Sequence, residues 1–222
     1  MITLHYLENS RAQRILWLLE ELDVEYNIKH YKRNTLTMLA PDELKAVHPL
    51  GKSPVITDGD QCIIESAAII EYLVDNYGKG KLRPAIDTPE FLKYREKMHY
   101  AEGSIMPFLL LTLIFNKVKS APMPFFIRLI AKKIANKVLN GYVIPNVTIH
   151  LNYLESELAA TGWFAGEQMT AADIMMSFPL EGAAARANLK DTYPNLKAFL
   201  DKIHSMDSYK RALAKGLPYE LG

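Results

Sequence analysis

The sequence predicts an α/β domain of element order βαβαββα, followed by an all-helical bundle. Three observations carry that reading. Short apolar runs alternate with helix-periodic stretches as far as Tyr77. Gly78-Lys79-Gly80-Lys81 breaks the pattern, and Leu82-Arg83-Pro84 continues the break. After Thr88 the chain is helix-periodic almost throughout, with strand signals nearly absent. The expected boundaries are 1–80 for the first domain, 81–88 for a linker and 89–222 for the second.

Taken in order, residues 2–7 read as a buried first strand and Glu8-Asn9-Ser10 as the turn out of it. Ile15, Leu18, Leu19 and Leu22 follow the i, i+3, i+4, i+7 spacing of a helix. Val24, Tyr26 and Ile28 alternate as on one face of a second strand. A strand, helix and strand this compact predict a parallel, right-handed βαβ unit. Pro41-Asp42-Glu43-Leu44 opens a short helix with proline in its first turn. Residues 55–57 and 62–64 form a hairpin closed by Asp58-Gly59, a dipeptide suited to a turn with both central positions at φ > 0. Ile69, Ile70, Leu73 and Tyr77 then mark the closing helix.

In the second domain, Phe91, Tyr94, Met98 and Ala101 begin a long helix to about Lys119, bent or interrupted at Pro107. Residues 126–139 form another, and Val147, Leu151, Leu154 and Leu158 a third. Thr170-Ala171-Ala172-Asp173 is a capping box, with Met169 and Ile174 as its hydrophobic staple. The apolar run that follows, 174–180, marks a buried central helix, so the box serves folding.

Of 222 residues, 49% are hydrophobic, enough for one large domain or two small ones. The formal charge of +1 supplies no general field for nucleic acid. One cysteine, Cys62, excludes an intrachain disulfide framework and a thiolate zinc cluster, and lies where a buried structural thiol is expected. Six histidines are scattered without ligand spacing, so no metal site is expected. The amino terminus lacks the basic-then-apolar layout of a signal peptide, and the apolar run 105–115 is shorter than the ~20 residues that span a bilayer. A cytoplasmic protein is expected.

The stretch His48-Pro49-Leu50-Gly51-Lys52-Ser53-Pro54-Val55 carries the first chemical signal. Ser53-Pro54 stands where proline must start a strand, and a cis bond there would turn the Val55 N–H and C=O outward, able to grip an extended peptide. Glu65-Ser66 lies at a helix N-terminus, whose free N–H groups favour a carboxylate. A peptide with a free α-carboxylate fits both features.

Ser53-Pro54-Val55 followed by Glu65-Ser66-Ala67-Ala68-Ile69-Ile70-Glu71-Tyr72-Leu73 resembles the glutathione site of the cytosolic glutathione S-transferases. The element order of the first domain resembles the thioredoxin-like fold. The resemblance covers essentially the whole chain and implies a two-fold homodimer, with the first domain of one subunit against the helical domain of the other. It implies glutathione as co-substrate and a reaction joining its thiol to a hydrophobic electrophile, or reduction of a hydroperoxide. A carrier or protein-interaction module built on the same fold is the alternative.

Free glutathione is a weak nucleophile, because a thiol of pKa near ~8.5 is only about 3% thiolate at pH 7. Lowering that pKa by ~2 units requires ~2.7 kcal/mol. One hydrogen bond to a charged group supplies ~1.5–3 kcal/mol, and a helix N-terminus ~0.3–2 more. One hydroxyl is nearly sufficient. Asn9-Ser10-Arg11-Ala12-Gln13-Arg14 resembles the serine-type branch, which makes Ser10 the candidate catalytic hydroxyl. Ser10-x-x-Gln13 is also a capping box, so the serine fits either role. Tyr6 is the rival, since other branches use a tyrosine near the end of the first strand. Lys52, Ser53, Pro54, Val55, Glu65 and Ser66 form the expected glutathione site, with Lys52 placed for the glycyl carboxylate. The electrophile pocket is expected between the domains, with Tyr100, Met106, Phe108, Leu109 and Phe115 as candidate walls. Residues 124–139 mix Arg128, Lys132, Lys133 and Lys137 with large apolar residues, which fits either a membrane-surface helix or an ordinary exposed one.

Overall fold

The computed structural model describes residues 1–185, 192–217 and 219–221. Four strands form one sheet in the order β2-β1-β3-β4: β1 is Ile2–Leu7, β2 Tyr26–Tyr31, β3 Val55–Asp58 and β4 Gln61–Ile64. β1 runs parallel to β2 across helix α1 (Ala12–Glu21), the predicted βαβ unit, and antiparallel to β3. The short helix α2, Asp42–Val47, and α3, Ser66–Tyr77, complete the order βαβαββα of a thioredoxin-like domain.

The hairpin between β3 and β4 pairs Asp58 with Gln61, so its two central residues are Gly59 and Asp60. Of these, Gly59 alone takes positive φ, at 56°. The turn therefore needs glycine at its first central position, rather than two positive-φ residues beginning at Asp58. β4 forms the sheet edge, and this exposes Cys62, correcting the expectation of a buried thiol.

Periodicity shows α1 with one apolar face, yet the helix is buried from Ala12 to Glu20. It lies against the sheet on one side and against helical-domain elements on the other, which leaves its polar residues to find partners across that packing. The Trp17 indole N–H reaches Ser208 Oγ at 3.1 Å, and Arg211 Nε reaches Glu20 Oε2 at 2.8 Å.

The second half is helical. Helix α4, Pro89–Tyr100, starts on Thr88, whose hydroxyl accepts the Phe91 N–H at 3.3 Å. A π-helical turn, Ala101–Ile105, joins it to α5, Met106–Ser120. The turn falls just before Pro107, where the ladder loses a donor, so the predicted interruption takes the form of a π-turn. The same device recurs between α6 (Phe125–Val138) and α7 (Ile144–Leu158), where a π-turn, Leu139–Val143, precedes Pro145.

Helix α8, Ala171–Ala184, is the central helix, buried from Ala171 to Ala183. Its capping box is formed: Asp173 Oδ2 accepts the Thr170 N–H at 2.8 Å, and Oδ1 additionally accepts the Phe164 N–H at 2.9 Å. Met169 and Ile174 pack into the same core. Helices α9, Pro194–Ser205, and α10, Asp207–Lys215, close the bundle, α10 lying on α1.

Candidate active site

Three segments converge at one end of the sheet. β1 ends at Leu7 and turns into α1 through Asn9, which takes φ 48°, and Ser10. The approach to β3 carries Lys52, Ser53 and Pro54, and the Ser53–Pro54 peptide is cis, a state the sequence left open. The end of β4 delivers Glu65 and Ser66 to the start of α3. Lys52, Ser53, Pro54, Glu65 and Ser66 line a cleft of about 270 Å³, together with Arg11, His48, Leu50, Ile64 and Glu102.

Two hydroxyls meet beside it, of which Ser53 lines the cleft and Ser10 does not. Ser53 Oγ donates to the His5 carbonyl at 2.9 Å and accepts the Leu7 N–H at 3.2 Å, tying the end of β1 to the approach of β3. Ser10 Oγ, buried just behind, donates to the Leu7 carbonyl at 2.6 Å and accepts the Ala12 N–H at 3.2 Å. It therefore binds a free N–H of the first turn of α1, but the expected capping box is not formed. Gln13 instead turns its Oε1 to the Tyr6 hydroxyl at 2.8 Å.

Val55 is buried in the ladder, opposite both His5 and Ile64. That corrects the expectation of an outward Val55 backbone. Ser53, one residue outside the strand on the other side of the proline, has a backbone N–H and C=O without hydrogen-bond partners among the described residues. The unpaired peptide edge thus belongs to Ser53.

At α3, Glu65 takes the N-cap position at φ 67° and supplies no side-chain cap. Such a left-handed conformation costs a non-glycine residue on the order of 1–3 kcal/mol and is held where a site needs it. Ile69 N–H is the first to return to a helix carbonyl, that of Glu65. The preceding N–H groups and the buried Ser66 hydroxyl, which has no partner among the described residues, meet at the cleft. Free N–H groups at a helix terminus favour an anion.

The candidate walls fall elsewhere. Tyr100 bonds His150 on α7, Phe108 packs on Tyr142 and His150, and Leu109 is buried. Tyr100, Met106, Phe108, Leu109 and Phe115 do not line the cleft. The long helix faces it through Glu102, which sequence reasoning missed. Glu102 binds Arg11 Nε at 2.9 Å and pairs with the fully buried Arg14. Arg14 also donates to the Met175 carbonyl at 2.8 Å, and both guanidiniums lie beside the Phe178 ring, at 5.4 and 5.6 Å. Burial pushes the Glu102 carboxyl up, but the two arginines outweigh it and hold it below its usual value. The one signal for Glu102 was an acid in an otherwise apolar stretch, facing arginines already singled out by the Ser10 segment.

Tyr6 is fully buried, its ring beside His30 and its hydroxyl on Gln13. Burial, then the nearby Glu181 carboxylate, raise its pKa well above the ordinary phenol value.

A sheet end with a free peptide edge, a hydroxyl pair and a free helix N-terminus, beside an all-helical domain, defines a two-domain protein with a polar cleft lined from both. The chain belongs to the glutathione S-transferase family. Residues 1–75 match the profile "Glutathione S-transferase, N-terminal domain" and residues 128–207 "Glutathione S-transferase, C-terminal domain". It is 37% identical to glutathione S-transferase 3 of Schizosaccharomyces pombe, over 97% of this chain and 88% of that protein. It is 34% identical to glutathione S-transferase 1 of Saccharomyces cerevisiae, over 97% and 95%. A glutathione S-transferase crystal structure from Actinobacillus pleuropneumoniae superposes with TM-score 0.80 at 35% identity, covering 100% of this chain and 94% of that one. A sphingomonad glutathione S-transferase complexed with glutathione shares the fold at TM-score 0.71 and 21% identity, over 96% and 97%.

Proposed function

We propose that this glutathione S-transferase seats glutathione in the cleft between Ser53 and Ser66 and activates its thiol through Ser10. The observation that carries the proposal is the meeting of three independent features at one end of the sheet. The Ser53 backbone edge fits the cysteinyl peptide unit, the α3 N-terminus with Ser66 fits the γ-glutamyl carboxylate, and Lys52 at the cleft rim fits the glycyl carboxylate. Glu65 shapes the turn into α3, and Pro54 and Val55 fix the strand from which Ser53 projects. The Ser10 hydroxyl lies between that peptide edge and the N-terminus of α1, where a thiolate gains a hydrogen bond and a favourable dipole together. Tyr6 is ill-suited: it is inaccessible and its proton is engaged by Gln13.

The thiolate forms a C–S bond to an electrophilic carbon as the leaving group, chloride in chlorodinitrobenzene, departs with its electron pair. On a hydroperoxide it breaks the O–O bond, releasing the alcohol and leaving a glutathione sulfenic acid that a second glutathione converts to the disulfide and water. The acceptor enters over Arg11, Glu102 and Phe178, and the chemistry asks for no metal. The working unit is a two-fold homodimer in a reducing cytoplasm, with 1–80 and 89–222 as its two domains joined by 81–88. A carrier would use the same cleft without turnover. Titration with glutathione, coupled to an assay with chlorodinitrobenzene and a panel of electrophiles and peroxides, separates the two. Saturable binding with conjugation supports the transferase. Tight binding without turnover on the whole panel supports the carrier.

A further inference from the structure

Helix α6 is held to the rest of the protein by very little. Ala135 is its one buried residue. Its first turns carry Phe125 and Phe126, 75% and 68% exposed, with Leu129 and Ile130 at 51% and 60%. The adjoining helix α5 adds an exposed stripe at i, i+4, i+8: Leu110, Ile114 and Val118. Apolar patches of this extent mark a surface that something covers.

The charge of the region indicates what covers it. Between Glu102 and Glu155 the chain has no acidic residue, yet it holds six of its lysines and arginines. The remaining sequence holds 20 Lys and Arg against 25 Asp and Glu. Two copies meeting face to face through this one patch would set like charges opposite each other, unlike the dimer proposed above, which sets the helical domain against the partner's first domain. An anionic lipid surface accepts both the apolar tip and the cations.

The dimensions agree. Phe125 leads Lys132 by seven residues, about 10 Å along the helix. Peripheral helices bury their apolar parts ~5–10 Å into the headgroup boundary, which would set Lys132 and Lys133 at the phosphates. Helix Pro89–Ser120 is long and apolar enough to cross a membrane by length and composition. Its first half is committed to the protein interior, however: Tyr94, Met98, Ala101 and Ile105 are buried, and fully buried Lys97 pairs with Glu96 and Glu157. Only the hairpin end is available, so the contact is with the bilayer surface.

We propose that the α5–α6 hairpin attaches this protein to the surface of a bilayer rich in anionic phospholipid, tip first, independently of the glutathione site. The test is co-sedimentation of the full chain with phosphatidylcholine vesicles, with and without phosphatidylglycerol. Two paired variants are compared, Phe125→Ser with Phe126→Ser, and Lys132→Glu with Lys133→Glu. The expected result is partition to the mixed vesicles, roughly tenfold or more weaker in each pair, with conjugating activity and melting temperature unchanged. Absence of partition by the native chain overturns the proposal, as does partition unaffected by either pair. A change of oligomeric state in the phenylalanine pair, without loss of vesicle binding, would assign the face to another copy and overturn it equally.

Discussion

The Ser10 and Ser53 hydroxyl oxygens stand 3.3 Å apart, and the hydrogens of both are committed to backbone carbonyls of β1. No hydrogen is left for the contact between them, because a hydroxyl donates once. A sulfur anion arriving beside this pair is a better acceptor than a neutral carbonyl, since charge-assisted bonds are roughly twice as strong. Ser10 can therefore swing from the Leu7 carbonyl to the thiolate, while Ser53 keeps β1 and the approach to β3 in register.

Ser10→Ala is expected to leave glutathione affinity within a few fold. The pKa of the bound thiol, followed by thiolate absorbance, should rise towards its free value, and turnover near neutral pH should fall at least ~10-fold. The variant also loses the contact to the Ala12 N–H, so melting should report a cost of ~1 kcal/mol. Tyr6→Phe should lower stability by about 1 kcal/mol through Gln13 and leave the bound thiol unmoved. A low bound pKa kept in Ser10→Ala and lost in Tyr6→Phe would assign the chemistry to the tyrosine.

Ser66→Ala addresses binding alone. Its hydroxyl has no partner among the described residues and sits with the free N–H groups of α3. The glutathione KM should rise by the equivalent of ~1–3 kcal/mol, with kcat at saturation largely retained. Unchanged glutathione affinity in a folded variant would place the carboxylate elsewhere.

What the sequence made legible was local. The proline at the start of β3, the Thr170–Asp173 box and the interruption at Pro107 each depend on residues within a few positions of one another. Cys62 was misjudged because periodicity cannot tell which strand forms the sheet edge. The free peptide edge was placed two residues late, because strand pairing decides which backbone groups remain open. Gln13 left its box for Tyr6, and Glu102 met Arg14 from 88 positions away; both partnerships come from tertiary packing.

Glu102→Gln would leave the buried Arg14 guanidinium without a counter-charge. The expected loss is about 2–4 kcal/mol near neutral pH, read by urea unfolding. The carboxyl is held below its usual value, so its contribution is present above ~pH 4.3 and fades as pH falls through the lower folded pKa. The difference between native and variant should accordingly shrink in acid. Equal stability at pH 7 would mean that Arg14 is satisfied by the Met175 carbonyl alone.

Asp173 should show the opposite sign. Burial raises its pKa to about 6, against the pull of the Phe164 and Thr170 N–H groups and the Thr170 hydroxyl. The unfolded value is ~3.9, so between the two the folded state binds the extra proton. Stability from this residue therefore grows as pH falls from 7 towards 4, by an amount of order 2–3 kcal/mol. Asp173→Asn should abolish that slope while keeping one acceptor for the helix start. Asp173→Ala strands the Phe164 and Thr170 N–H groups in the interior and should cost about 3 kcal/mol at pH 7, with the gap to the native protein widening as pH falls because only the native carboxyl takes up the proton. Urea midpoints for the three proteins at pH 5 and pH 7 decide the matter. If native and Asn variant keep a constant gap, the carboxylate is already charged throughout and burial is not setting its proton affinity.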